Sequence, residues 1–136
     1  MPTVISKHVD DMVFETRIGS HVILNDVPPT PDWGGKDRHP TPPDYFIASL
    51  ASCIAAFVEQ YCNKVGIDTT GMTTEVHYEK ATKPAHLRDI KVNISLPNSD
   101  LAGRAEAIKR VCQHCTVHET IGQMTDHLEI TVQGAG

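Results

Sequence analysis

Four residues of this sequence are suited to covalent chemistry: Cys53, Cys62, Cys112 and Cys115. A thiol becomes a nucleophile only as its thiolate, which forms where a cation or the positive end of a helix lies close by. Cys112-Gln113-His114-Cys115 is a CxxC motif, and His118 follows one helical turn after His114. A thioredoxin-type redox pair needs a preceding strand and a helix N-terminus. Here the motif falls at the end of a predicted helix, where the dipole disfavours the thiolate. Zinc would draw on Cys112, Cys115, His114 and His118. A lone CxxC is weak evidence for zinc, since a strong site shows a second CxxC or a spaced histidine pair beside it. A third reading pairs Cys115 with Cys53 across the fold and leaves Cys112 incidental. Both lie on apolar helix faces, and spacing does not decide the matter.

Cys53 sits in Ala51-Ser52-Cys53-Ile54-Ala55, where a cysteine by itself packs as a small hydrophobe. It is too far from the start of its helix for the dipole to activate it, since that effect dies within the first turn. A reactive Cys53 therefore needs a side-chain cation, and the candidates are Arg17 and Arg38. Cys62 follows nine residues later, roughly 900° around a helix and so half a turn out of phase. The two cannot bridge within the helix, and Cys62 reads as structural.

The elements that must position these residues follow from the rest of the chain. Its 136 residues make one domain's worth, and they can bury a core without disulfides or metal. The net charge of −5 argues against a nucleic-acid partner. The 40% hydrophobic content argues against disorder. No basic region followed by an apolar run opens the chain, and no run of roughly 18 apolar residues occurs, so a cytoplasmic protein with no membrane partner is expected. Four thiols are then reduced cysteines and not a disulfide framework.

Residues 3–27 alternate apolar and polar and predict two or three antiparallel strands, with a turn over Arg17-Ile18-Gly19-Ser20. Residues 28–43 hold too many prolines for regular structure, and a loop of this length is usually functional. Residues 42–65 form the strongest predicted helix. Thr41 can cap it, Pro42 suits its first position, Asp44 makes an acidic variant of the capping box, and Gly66 closes it. The segment Phe46–Phe57 is apolar or small almost all round, which fits a core or an interface. At about 1.5 Å per residue the helix spans about 36 Å, long for so small a protein. Residues 73–80 and 89–96 predict an antiparallel pair. Ser99 is expected to cap a second helix with an apolar stripe through Leu101, Ala105, Ile108, Val111, Cys112 and Cys115. Residues 116–121 predict a further helical turn, and residues 127–132 a final strand. Segregated strands and helices of this kind mean an α+β fold.

The stretch from Thr41 to Cys53 (TPPDYFIASLASC) resembles the helix of the OsmC/Ohr family, the osmotically inducible and organic hydroperoxide resistance proteins. Asp26-Val27-Pro28 and Gly34-Gly35-Lys36-Asp37 resemble that family's acid-proline turn and Gly-Gly loop. Cys115-Thr116-Val117-His118 resembles its second signature, with Thr116 in place of the usual proline. The resemblance runs over essentially the whole chain and implies a single OsmC-like domain spanning 1–136. It implies an intertwined homodimer, with sheets wrapped around two long central helices. It also implies a thiol-dependent peroxidase of oxidative-stress defence, acting on organic hydroperoxides or hydrogen peroxide without a cofactor or metal. Cys53 would then be the nucleophile, oxidised to a sulfenic acid that Cys115 resolves as a disulfide. A dithiol reductant, lipoyl-type or thioredoxin-like, would restore both thiols. Arg17, or next Arg38, would hold the thiolate. The hydroperoxide-resistance branch orients that arginine with a glutamate ten residues before the cysteine. Pro43 stands there in this sequence, and Asp44 one step later, where wider OsmC-like sequences carry their acid. The departures at Pro43 and Thr116 keep a second expectation open. It is a non-catalytic OsmC-like protein that binds a small apolar ligand, or senses redox state, at its dimer interface.

Overall fold

The computed structural model describes residues 2–124 and 128–133. The fold is α+β with antiparallel sheets, as expected. The chain divides into two compact units, one through Ala48 and one from Ser49 onward.

The first unit is a three-stranded antiparallel sheet followed by the proline-rich loop. Its strands are β1 (Val4–Asp10), β2 (Val13–Ile18) and β3 (His21–Asn25), in the order β1-β2-β3. Asp11, at φ 47°, makes the first turn, and Gly19, at φ 61°, the second. Arg17 and Ile18 belong to β2, so the second turn is narrower than the sequence suggested. Ladder pairing continues through Ile18↔His21, and only the glycine needs the left-handed conformation. Every residue of β1 is exposed, including Val4, Ile5 and Val9.

Helix α1 (Pro42–Val65) begins and ends where the sequence placed it. The Asp44 carboxylate accepts from the Thr41 backbone N–H and from its hydroxyl, both at 2.9 Å. Gly66, at φ 77°, terminates it, and the Ile67 N–H turns back to the Cys62 carbonyl at 2.9 Å. By length and composition alone α1 could cross a membrane, yet one face of it packs into a protein core.

That core belongs to the second unit. Leu50, Ile54, Val58 and Cys62 of α1 pack with Ile67, Leu96, Ile108 and Cys115. Each large aliphatic side chain enclosed this way contributes about 1.5–3 kcal/mol. Strands β4 (Thr73–Thr82) and β5 (Ala85–Ser95) form a hairpin. It is longer than expected, because the polar stretch 81–88 pairs instead of looping, with Ala81 opposite His86.

The second predicted helix is interrupted. Ser99 caps only a short 3₁₀ turn, Leu101–Gly103, by accepting the Leu101 N–H at 2.9 Å. Leu101 and Gly103 have φ of 66° and 73°, outside the right-handed α region, so α2 starts late, at Ala105, and ends at Gln113. Helix α3 (Thr116–Gln123) follows. The final strand expected over 127–132 is absent from residues 128–133, which carry no ladder pairing, and His127 lies outside the described residues.

Candidate active site

Cys115 is the N-cap of α3 and not the tail of the preceding helix. Its extended backbone (φ −67°, ψ 150°) aims the sulfur at the new helix, and Sγ accepts the His118 N–H at 3.3 Å. The negative end of a helix thus acts on Cys112, near the end of α2, while Cys115 sits at the positive end of α3, opposite to the expectation from sequence. Burial nevertheless outweighs the helix end. Cys115 is 0% exposed, and desolvation pushes its thiol above the ordinary cysteine range despite the N–H groups of His118 and Val117.

Cys53 meets Cys115 here. The two thiols are within hydrogen-bonding reach, and Cys53 adds to the cost of ionising Cys115. Both are reduced, as are Cys62 and Cys112. Cys53 is half-buried and packs against the core cluster. Cys62 is fully enclosed, and burial followed by the nearby Glu59 pushes its thiol up. Cys112 is half-buried and is also raised by burial, with a smaller contribution from Cys115.

Raised thiols fix the sign of an alkaline effect. The protonated form is favoured in the folded state, so this stability is complete below the unfolded cysteine value of about 8.5 and is lost as pH rises through the higher folded values. Native protein treated with iodoacetamide at neutral pH should therefore keep Cys62 and Cys115 unmodified until it unfolds. Thermal melts should weaken progressively above about pH 8.5. Prompt labelling of native Cys115 would contradict its enclosure.

The arginines and Asp44 lie in the first unit or its part of α1, and each has partners there. Arg17 pairs with Glu15 at 2.9 Å and its side chain is 62% exposed. Such a pair is worth about 0–1 kcal/mol, so it tethers the guanidinium only lightly. Arg38 is pinned among three carboxylates, with Asp11 at 3.3 Å, Asp26 at 3.6 Å and Asp10 at 3.7 Å. Asp44 serves the helix cap described above.

Asp26 is the residue whose importance the sequence concealed. It is 0% exposed and accepts backbone N–H groups from Val27 (2.8 Å), Lys36 (3.2 Å) and Arg38 (3.2 Å). One carboxylate thus ties both ends of the proline loop together. Its only sequence signal was its place before Val27-Pro28. The Val27 N–H first, then those of Arg38 and Lys36, hold its carboxyl below the usual aspartate range against the effect of burial. A depressed folded pKa supplies stability above the unfolded value of about 3.9, and that stability is lost as pH falls through the folded value. Asp11, held down chiefly by Lys36, adds in the same direction. Asp26→Asn should lower the melting temperature by several degrees at neutral pH and flatten its fall in acid. An unchanged acid profile would show that Asp26 does not hold the loop.

The second unit also carries an open groove of about 1010 Å³. Leu50 and Ile54, the β5 residues Ile90, Val92 and Ile94, and Ile108 make it largely apolar, and Lys109, Cys112 and His118 also line it. Cys53 is not among its described lining residues. Among the described residues no group of three or more His, Cys, Asp or Glu side chains converges to hold a metal, and His114 pairs with Glu119 at 3.1 Å.

Comparison with known proteins agrees with this architecture. The family profile of OsmC-like proteins matches residues 34–131, and the chain belongs to that family. Among solved structures, it is similar to an osmotic stress induced and detoxification response protein, so described as putative, from Psychrobacter arcticus. The TM-score is 0.77 at 22% identity, covering 88% of each chain. An OsmC-like protein from Mycoplasma pneumoniae matches with TM-score 0.71 at 21% identity, over 98% of this chain and 94% of that one. A Legionella pneumophila protein described as an organic hydroperoxide resistance protein OsmC and predicted redox protein matches with TM-score 0.63 at 18% identity, over 89% and 88%. These likenesses concern the fold. No curated protein matches the chain.

Proposed function

We propose that this protein is a thiol-dependent peroxidase that reduces organic hydroperoxides, with Cys53 as nucleophile and Cys115 as resolving thiol. The observation that carries the reading is the apposition of these two reduced thiols, 62 positions apart in sequence, in one packed core. The family's association with redox function supports it. The Cys53 thiolate attacks one peroxide oxygen, the O–O bond breaks, and the alcohol leaves after taking a proton. The Cys53 sulfenic acid then loses water to the Cys115 thiol and a disulfide forms. A dithiol reductant, lipoyl-type or thioredoxin-like, closes the cycle by exchange. Arg17 is the first choice of the two cations to accompany the thiolate, because its own ion pair holds it lightly while Arg38 is committed to three acids. Asp44 acts through its cap.

The protein works in the cytoplasm as a homodimer in this reading. Support comes from the exposed apolar residues of β1 and from α1, where only 28% of the most apolar window is buried. Light scattering should give about twice the 14.9 kDa chain mass, and a monomer would remove the dimer. The activity is tested by following an organic hydroperoxide with a dithiol in excess. Continuous consumption at catalytic protein concentration is expected, and a rate no higher than that of the dithiol alone would sink the reading. The apolar groove favours a second reading, a non-catalytic carrier of a small apolar ligand. It would be marked by ligand-dependent thermal stabilisation without peroxide consumption.

A further inference from the structure

Cys112 has no role in a two-cysteine cycle, yet its position is unusual. Three of the four thiols are neighbours in one cluster, in which Cys53 is within hydrogen-bonding reach of Cys115 and Cys115 is felt electrostatically at Cys112. Only the last member lines the groove. Cys112 and Gln113 are helical, and His114 follows at φ −107°, ψ 10°. This is the geometry of a type I turn, which brings the first and fourth Cα atoms within about 7 Å. Disulfides span Cα separations of roughly 4.4–6.8 Å, so Cys112 and Cys115 can bridge with little backbone movement. Cys53 and Cys62, by contrast, lie about two and a half turns apart on opposite sides of one helix.

We propose that Cys112 is a third redox thiol, which takes the disulfide over from Cys53–Cys115 and presents it to the reductant at the groove. The proposal rests on the peroxidase reading above. The Cys112 thiolate attacks Cys115 Sγ, the Cys53–Cys115 bond breaks, and Cys53 leaves as a thiolate while the Cys112–Cys115 bond forms. No electrons are gained or lost, and the oxidising equivalent delivered by the hydroperoxide moves one thiol along. Cys115 is wholly enclosed, so its sulfur is a poor target for an external dithiol. Cys112 borders an open apolar channel, where an incoming dithiol has room. The exchange also returns Cys53 to its reactive form before reductant arrives. Burial holds the Cys112 thiol protonated at neutral pH, so the step should quicken as pH rises.

The test is disulfide mapping by mass spectrometry after acid quenching and alkylation, with the full-length protein and one equivalent of cumene hydroperoxide. Cys53–Cys115 should form first and give way to Cys112–Cys115 in the majority of chains, with Cys53 alkylated again. Cys112→Ser should stop at Cys53–Cys115. A wild type that holds Cys53–Cys115 throughout, with Cys112 free, overturns the relay while leaving the peroxidase intact. If hydroperoxide consumes no thiol, the peroxidase reading falls, and the same mapping after oxidised glutathione judges the exchange alone. A Cys53–Cys115 bridge that converts to Cys112–Cys115 then upholds it, and a static Cys53–Cys115 bridge, or a Cys112–Cys115 bridge that forms without it, overturns it.

Discussion

Cys53→Ser is expected to end hydroperoxide reduction, a fall on the order of 10⁴-fold or more, as when the nucleophile of a cooperating catalytic group is removed. Serine is nearly isosteric and the site is half-buried, so circular dichroism and the melting curve should stay close to wild type. Cys115→Ser should behave differently. Its first equivalent of peroxide is still consumed, because Cys53 remains. Without a resolving thiol the sulfenic acid persists, can be trapped by a 1,3-dione, and advances to sulfinic acid in excess peroxide. Turnover then decays within a few cycles. Equal loss of the first-equivalent reaction in both variants would contradict the division of roles. Retention of turnover in Cys53→Ser would contradict the assignment of the nucleophile.

Gly35→Ala is expected to be the most damaging single-atom addition in the first unit. A Cβ there would stand 1.8 Å from the Val27 carbonyl oxygen, 2.6 Å from its carbon and 2.8 Å from the Pro28 carbonyl oxygen. All three are backbone atoms and cannot swing aside. The Gly35 N–H bond to the Pro28 carbonyl, 3.0 Å long, would be lost as the strands of the loop part. Overpacking of this kind costs about 1–3 kcal/mol or more. The Asp26 bonds to Lys36 and Arg38, immediately downstream, should loosen with it. The expected result is a drop in melting temperature of several degrees and proteolytic cleavage within residues 28–40. By contrast Gly122→Ala, with open space around the added atom, should be nearly silent and serves as the control. A Gly35→Ala protein as stable as wild type would refute the close approach.

What was legible in the sequence was what local chemistry specifies. Helix α1 was bounded by Thr41, Pro42, Asp44 and Gly66, each acting within a turn of its own position. The hairpin β4–β5 was legible in its alternating halves, but residues 81–88 are mostly exposed, and Thr82, Lys83 and Pro84 at the tip resemble a loop. The second helix was overextended because Leu101 fits an apolar stripe, while its left-handed backbone is imposed by the turn around it. Alternation in 128–132 indicates a strand, but pairing requires a neighbouring edge, and among the described residues none bonds to it.

At the site, the cysteines could be named but not joined by spacing, since their contact depends on the junction between α2 and α3 packing against α1. Cys115 could not be recognised as a helix start, because a break of two residues between α2 and α3 has no glycine or proline to mark it. Asp26 was hidden for the same reason. A lone aspartate before a proline turn looks solvated, and only the return of residues 36–38 encloses it.

The central claim is that Cys53 and Cys115 act as a redox pair toward a hydroperoxide. Counting free thiols in the denatured protein before and after one equivalent of an organic hydroperoxide tests it most directly. The account predicts a rapid fall from four thiols to two, with Cys115 in the bridge recovered by mass mapping. Four thiols that survive the treatment unchanged would contradict it.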